Sequence, residues 1–301
     1  MNRIDVMAKI LPILNFFRKV AVKVSGSKRC NEMYYAWIRT VLIKNVNLNP
    51  LSYRNSIDVT EQQKWKVWVM WWQGEESAPK IVQANIARLR VVFGEKNVVL
   101  ITQDNYQQYV ELTPIIHNKF LKNTISITHL SDIIRFNLLN DYGGLWVDAT
   151  VAISENYKLP ENVGFITLVP RGGGYDSFIG NGMWTGWFMG GDKGFPLFSY
   201  MVDFFNEYWD KNDKLFDYFL IDDAISVFAE SRSDFQNIQN GLMAERDFYY
   251  LQNNLTQEGD EDEFINRWQK DERYMIQKLT YKININPEMK PRTLMHRLER
   301  I

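Results

Sequence analysis

The sequence predicts an α/β protein built on a mainly parallel sheet, and three observations predict it. Apolar runs at 66–72, 97–102 and 145–151 read as buried strands. The stretches at 78–93 and 130–142 carry apolar residues at helical spacing. Strand–helix–strand alternation of this kind builds a parallel sheet, and ligands then sit beyond the carboxyl ends of its strands.

Composition sets the outer bounds. The 301 residues are 46% hydrophobic and 24% charged, enough for one large domain or two small ones with a sizeable core. A formal net charge of −1 gives no electrostatic basis for bulk nucleic-acid binding. The single cysteine, Cys30, allows no internal disulfide and no cysteine-based metal site, so a reducing, cytoplasmic compartment is expected. Most of the ten Trp are expected in the core, although indole faces also serve as platforms for bases and sugars.

Residues 1–60 read as a helical region with loops, set apart from a domain over 61–301. Within it, Val6, Ile10, Ile13, Phe17, Val20 and Val24 recur at helical spacing among Arg3, Lys9, Arg18, Lys19, Lys23, Lys28 and Arg29. The longest uncharged run, Ile10–Phe17, is far below the ~20 residues that span a bilayer, and no signal-peptide cleavage site follows. Two readings stand open: a helix lying on an anionic membrane surface, or one packed on the protein's own core. Pro12 is expected to kink or shorten either helix.

Lys66–Trp72 is the first strand, and Ala78–Phe93 is a helix with Pro79 in its first turn and Val82, Ile86, Leu89 and Phe93 as its stripe. Asn97–Thr102 is the second strand, followed by short helical stretches at Tyr106–Glu111 and Pro114–Leu121. A longer helix over Leu130–Tyr142 ends at Gly143-Gly144, and Leu145–Val151 is the third strand. The segment 164–194 holds ten of the seventeen glycines, with Trp184 and Trp187 among them. Close backbone approach to a ligand and a run of hairpin turns both explain that density. From Phe195 onward the chain reads as mainly helical, with a solvated acidic turn at Glu258–Glu263.

The chemistry concentrates in Thr128–Thr150, THLSDIIRFNLLNDYGGLWVDAT. Asp132 and Arg135, three apart, share a helix face, as a surface pair or as part of a site. Along the following strand Leu145, Val147 and Ala149 face one way, and Trp146, Asp148 and Thr150 the other. A carboxylate at the end of an apolar strand is costly to bury without a partner. A hard cation, Mg²⁺ or Mn²⁺, is a natural one, although an isolated Asp can also cap a turn.

Ser131-Asp132-x-x-Arg135 followed by Tyr142-Gly143-Gly144-x-Trp146-x-Asp148-Ala149-Thr150 resembles the capsular-polysaccharide-synthesis glycosyltransferases. These are relatives of the yeast outer-chain mannosyltransferases and of the glucosyltransferase domains of large clostridial toxins. Trp71-Trp72-Gln73-Gly74 with Ala78-Pro79 is similar to that family's first-strand motif. Asp104-Asn105-Tyr106, Tyr218–Asp222 (YFLID) and Gln277–Lys282 (QKLTYK) extend the likeness over residues 64–285. The resemblance implies a GT-A fold, Rossmann-like and nucleotide-sugar-binding, a UDP-type sugar donor, and Mn²⁺ or Mg²⁺ as cofactor.

It also implies roles. Asp148 stands where the D-x-D motif has its metal-binding aspartate and is counted, with Asp222, among the catalytic residues. Thr150 stands in place of the second aspartate, as a weaker, neutral ligand. Asp132 and Arg135 match residues that hold the donor's sugar and ribose, with Trp146 beside them, and Trp72, Gln73 and Gly74 match the strand end where the nucleoside docks. Asp222 resembles an aspartate near sugar and acceptor. Lys278 or Lys282 is placed to neutralise the diphosphate. Retention of anomeric configuration is expected, as is a lipid-linked or oligosaccharide acceptor at the inner face of the plasma membrane.

The three histidines, His117, His129 and His296, form no cluster with cysteine, so zinc is not expected. His129 reads as a helix-start or core residue, and His296 as a late metal ligand only in a minor alternative. No G-x-S-x-G elbow or P-loop occurs, which argues against serine hydrolases and P-loop kinases. Two competing functions remain. One is a glycoside hydrolase using Asp222 and Asp223, although adjacent residues point apart. The other is a non-catalytic binding protein on the same fold.

Overall fold

The computed structural model describes residues 3–26, 28–54, 65–160, 164–170, 178–241, 246–283 and 292–300. Its strands are β1 (Val67–Met70), β2 (Val98–Ile101), β3 (Gly144–Val147), β4 (Val151–Ile153), β5 (Phe165–Thr167), β6 (Phe188–Gly191) and β7 (Ile276–Lys278). Five of them form one sheet in the order β2-β1-β3-β6-β5. β1 pairs in parallel with β2 and β3, while β6 pairs antiparallel with β3 and β5, so β6 alone runs against the others. The expected α/β class and mainly parallel sheet are what is observed.

Alternation along the strands divides the core. Trp68, Met70 and Trp146 enter one apolar cluster, while Val67, Val69, Leu145 and Val147 enter the other. The second cluster is covered by α3 (Lys80–Phe93) through Ile81, Val82, Ile86 and Leu89. The first is covered by α5 (Ile127–Tyr142), α6 (Pro196–Lys211) and α7 (Leu220–Ser231), which follow the short α4 (Pro114–Leu121). The remaining helices are α8 (Ser233–Gly241), α9 (Glu261–Lys270) and α10 (Leu294–Leu298).

α5 begins three residues before the expected Leu130, because Ser126 caps it, its side chain accepting from His129 N–H at 3.2 Å. It ends at Gly143 and Gly144, whose φ values are 66° and 100°. A Cβ on Gly144 would lie 2.3 Å from the Lys66 carbonyl oxygen, so only glycine lets β3 approach β1 there.

Several expectations need correction. The third strand does not run to Val151: the chain turns at Asp148, whose carbonyl accepts Val151 N–H at 2.9 Å. β4 then leaves the main sheet and pairs antiparallel with β7, setting Val151 opposite Lys278. β7 is thus a strand inside a region expected to be helical. Tyr106–Glu111 holds only a 3-10 turn, Tyr106–Gln108. The glycine-rich segment contributes β5 and β6, two antiparallel arms, while its residues 171–177 lie outside the described residues.

At the N-terminus, α1 (Arg3–Ser25) and α2 (Arg29–Val46) pack as a hairpin. α1 runs through Pro12 unbroken, and the proline lies on an exposed side, where it costs a hydrogen bond without ending the helix. Ile4, Leu11, Ile38, Leu42 and Val46 bury in the same cluster as Phe204 and Ile225, so these helices share the core of the sheet domain. The expected boundary at 60/61 lies outside the described residues.

Only part of α1 serves that core. Val6, Ile10, Ile13, Phe17, Val20 and Val24, the expected apolar stripe, are all exposed, by 42% to 82%. Arg18 does not flank this stripe: it bonds Asn15 and Asn31 and lies over the Tyr34 and Tyr35 rings. Among the described residues, no helix is long and apolar enough to cross a membrane.

Candidate functional site

β3 carries Asp148 just past its carboxyl end, on the same face as Trp146, whose indole N–H donates to Asp148 Oδ1 at 2.8 Å. Arg135 reaches this point from α5. Its guanidinium lies 4.8 Å from the Trp146 ring centroid, with Nη2 3.4 Å from Asp148 Oδ1 and 3.3 Å from Asp132 Oδ1. Lys278 arrives from β7, with Nζ 2.7 Å from Asp148 Oδ2 and 5.6 Å from the Trp187 ring centroid. The backbone closes the arrangement, since Asp148 N–H donates to the Trp187 carbonyl at 2.9 Å.

The electrostatics follow from these contacts. Burial pushes the Asp148 carboxyl up, but the Lys278 and Arg135 charges, with hydrogen bonds from Lys278 and Trp146, outweigh it and hold the group below the usual carboxylate value. Asp132 meets His129 Nδ1 at 3.5 Å as well as Arg135. His129 itself is buried against Phe205 and accepts from Trp209 Nε1 at 3.0 Å, which makes it a core residue.

Asp222 lies in the first turn of α7, where Trp184 Nε1 donates to its Oδ1 at 2.7 Å. Its carboxyl is pushed up to about 6, first by burial, against the Trp184 hydrogen bond, and then by Asp132 and Asp217 against Arg135. Asp223 points elsewhere. It is 2% exposed and its Oδ2 has no hydrogen-bond partner among the described residues. Burial, then Asp217 and Asp222, raises its carboxyl well above the usual value. A carboxyl closed off from solvent cannot flank a substrate bond, so the two acids do not form a hydrolase pair.

Of the residues singled out in the sequence, Asp132, Arg135, Trp146, Asp148 and Lys278 are in direct contact. Asp222 joins them through its charge coupling to Asp132 and Arg135. The others have contacts of their own. Trp72, half-buried, packs 5.3 Å from both Tyr106 and Phe120, while Gln73 is exposed and Gly74 takes a φ of 87° at the turn after β1. Lys282 is exposed, over Tyr281, which meets Trp71 edge-on at 5.5 Å. The Trp71–Tyr281 contact sets the segment after β7 beside the end of β1. Thr150 is tied to the chain after β7 by its carbonyl, which accepts Leu279 N–H at 2.9 Å.

Three further residues belong to the site. Trp184 holds Asp222, Trp187 lies under Lys278, and Gly186 lets Arg135 approach α7. A Cβ on Gly186 would lie 3.0 Å from Arg135 Nη1 and 3.2 Å from Ile221 Cδ1. The signal that could have found them was two tryptophans set among dense glycines.

The donor set tests the expected metal. Asp148 is the carboxylate placed for it, and both of its oxygens already accept hydrogen bonds from Lys278, Trp146 and Arg135. Asp132 is paired with Arg135, and Thr150 is neutral. Among the described residues, no group of three or more His, Cys, Asp or Glu could hold a metal ion. Mg²⁺ and Mn²⁺ bind through one or two carboxylates, water and phosphate. Here the one carboxylate is taken up by two fixed cations, so the residues present do not fit a divalent ion.

A family model described as capsular polysaccharide synthesis protein matches residues 19–298. Comparison with curated proteins gave no match, and neither did comparison with solved structures.

Proposed function

Since the chain belongs to the capsular polysaccharide synthesis protein family, and with it to capsule biosynthesis, we propose that it is a glycosyltransferase of the GT-A type. It moves a hexose or hexosamine from a nucleotide-diphosphate sugar, most simply a UDP-sugar, to a saccharide acceptor. The observation that carries this reading is the Asp132–Arg135–Asp148–Lys278 cluster beyond the carboxyl end of a central strand, where ligands of such sheets sit.

In the reaction, the bond from the anomeric carbon to the diphosphate breaks, and its electron pair stays on the phosphate oxygen. The acceptor hydroxyl oxygen forms the new bond to that carbon, and its proton passes to the departing phosphate. Negative charge grows on the diphosphate, where Lys278, or Lys282 from the same segment, stabilises it. Positive charge grows on the sugar, where ionised Asp222 stabilises it. Asp132 and Arg135 hold sugar and ribose hydroxyls beside Trp146, and Trp72, Gln73 and Gly74 receive the nucleoside. Retention of configuration is expected in the product.

The test is a panel of nucleotide sugars incubated with the protein, with product anomers read by NMR. Turnover of a nucleotide sugar supports a transferase. Nucleotide binding without turnover supports the non-catalytic alternative, and cleavage of glycosides lacking a nucleotide supports a hydrolase.

The location belongs to the same proposal: a peripheral protein on the anionic inner face of the plasma membrane, with a lipid-linked acceptor. At about 100° per residue, Lys9, Lys19 and Lys23 fall along one flank of the exposed apolar face of α1. Phe17, 62% exposed, stands on that face, and Phe16, equally exposed, falls among the lysines of the flank. Each Lys near an anionic surface contributes about 1 kcal/mol, and buried apolar area adds to it.

A further inference from the structure

We propose that the protein needs no divalent metal for its diphosphate substrate: the cation is built into the chain as the Lys278 ammonium, with Asp148 as its positioning residue. This rests on the transferase reading and specifies how that site would take a nucleoside diphosphate.

A carboxylate has about four lone-pair sites. Lys278 Nζ occupies Oδ2 at 2.7 Å, and Trp146 Nε1 and Arg135 Nη2 reach Oδ1 at 2.8 and 3.4 Å. A divalent ion entering here would share one carboxylate with two cations that the fold itself holds in place. Lys278 is set by the β4–β7 register opposite Val151, and its backbone N–H is fixed to the Phe248 carbonyl at 2.7 Å. Arg135 is 5% exposed and stacked over Trp146. Displacing Arg135 toward solvent breaks the ion pairs of a buried guanidinium, and displacing Lys278 breaks a part-buried one.

Lys278 is also equipped for the task. An ammonium has three N–H donors, and Asp148 takes one. The side chain is 20% exposed, so it is open to an arriving anion. Trp187 supports it from one side without neutralising it. Asp148 holds the ammonium in place, and the lysine meets the charge that grows on the departing phosphate oxygen. Thr150, at the second position of the motif, adds no charge that would call for a metal.

Isothermal titration calorimetry of the full chain with UDP and with GDP, in EDTA and then in Mn²⁺, tests this. The expected dissociation constants in the two buffers agree within about fivefold for whichever nucleotide binds, and Lys278→Ala weakens binding about tenfold in both. Lys278→Arg recovers much of the loss, because it restores the charge. Tightening of wild-type binding by more than about fivefold on adding Mn²⁺ overturns the inference and leaves the transferase reading standing. Failure of both nucleotides to bind in either buffer overturns both. If Lys278→Ala does not fold, the wild-type comparison between buffers decides alone.

Discussion

Replacing Trp184 with Phe should move the acid limb of the transfer rate upward by about one pH unit. Asp222 titrates at about 6 because burial raises its carboxyl, and the Trp184 N–H at 2.7 Å is the strongest influence opposing that rise. Phe keeps a ring in place and removes the donor. A hydrogen bond to a charged group contributes about 1.5–3 kcal/mol, and water recovers part of it at this half-buried position. The remainder, about 1.4 kcal/mol, is one pH unit. The sign follows from the donor's preference. It stabilises the ionised form, so its loss favours the protonated one. Wild type is then about nine-tenths ionised at pH 7 and the variant about half, so kcat/KM at pH 7 falls about twofold and is unchanged near pH 8.5. A pH profile of kcat/KM from 5 to 9 measures this, and the value at pH 8.5 separates titration from damage to the fold. A variant limb that coincides with wild type refutes the assignment of ionised Asp222 to the reaction.

Arg135→Ala should lower transfer about tenfold or more and also lower the melting temperature, because it leaves Asp132 and Asp148 without a shared buried cation, at a cost of up to about 3–5 kcal/mol. Unchanged rate and melting would return the residue to a minor structural role. Gly186→Ala should reduce kcat with only a small change in melting, since the added methyl meets Arg135 Nη1 at 3.0 Å and the guanidinium must give way. A wild-type rate would show that Arg135 tolerates displacement. Exchanging Phe16 and Phe17 for Ser should weaken co-sedimentation with anionic vesicles at low salt and spare donor hydrolysis. A wild-type protein that ignores such vesicles removes the membrane reading.

The strands and helices around the sheet were legible because long apolar periods dominate local choice. Val67–Met70, Val98–Ile101, Lys80–Phe93 and Pro114–Leu121 fall within a residue or two of their expected bounds. Failures came where a single residue or a distant partner decides. The start of α5 depends on the Ser126 cap, and the end of β3 on the turn at Asp148. β7 is three residues long, with no pattern of its own, and exists because β4 pairs with it. Asp132, Arg135, Trp146 and Asp148 lie within seventeen residues, so helix and strand spacing could group them. Their contact with Lys278, 130 positions after Asp148, and the approach of Gly186 to Arg135 are tertiary facts that no local pattern carries. The stripe on α1 was legible as a stripe, but only the packing of Ile4 and Leu11 showed which way it faces.

The turn at Asp148 has a consequence for the order in which the protein is made. Because the chain leaves the main sheet there, the lysine that meets Asp148 comes from β7, 130 positions later in synthesis. A growing polypeptide can complete the central strands, bury Trp68 and Trp146 and still lack the ammonium at the carboxylate. On the transferase reading proposed above, capability therefore arrives only once residue 278 has been made. A fragment stopped before residue 276 should collapse around its sheet and yet remain chemically inert.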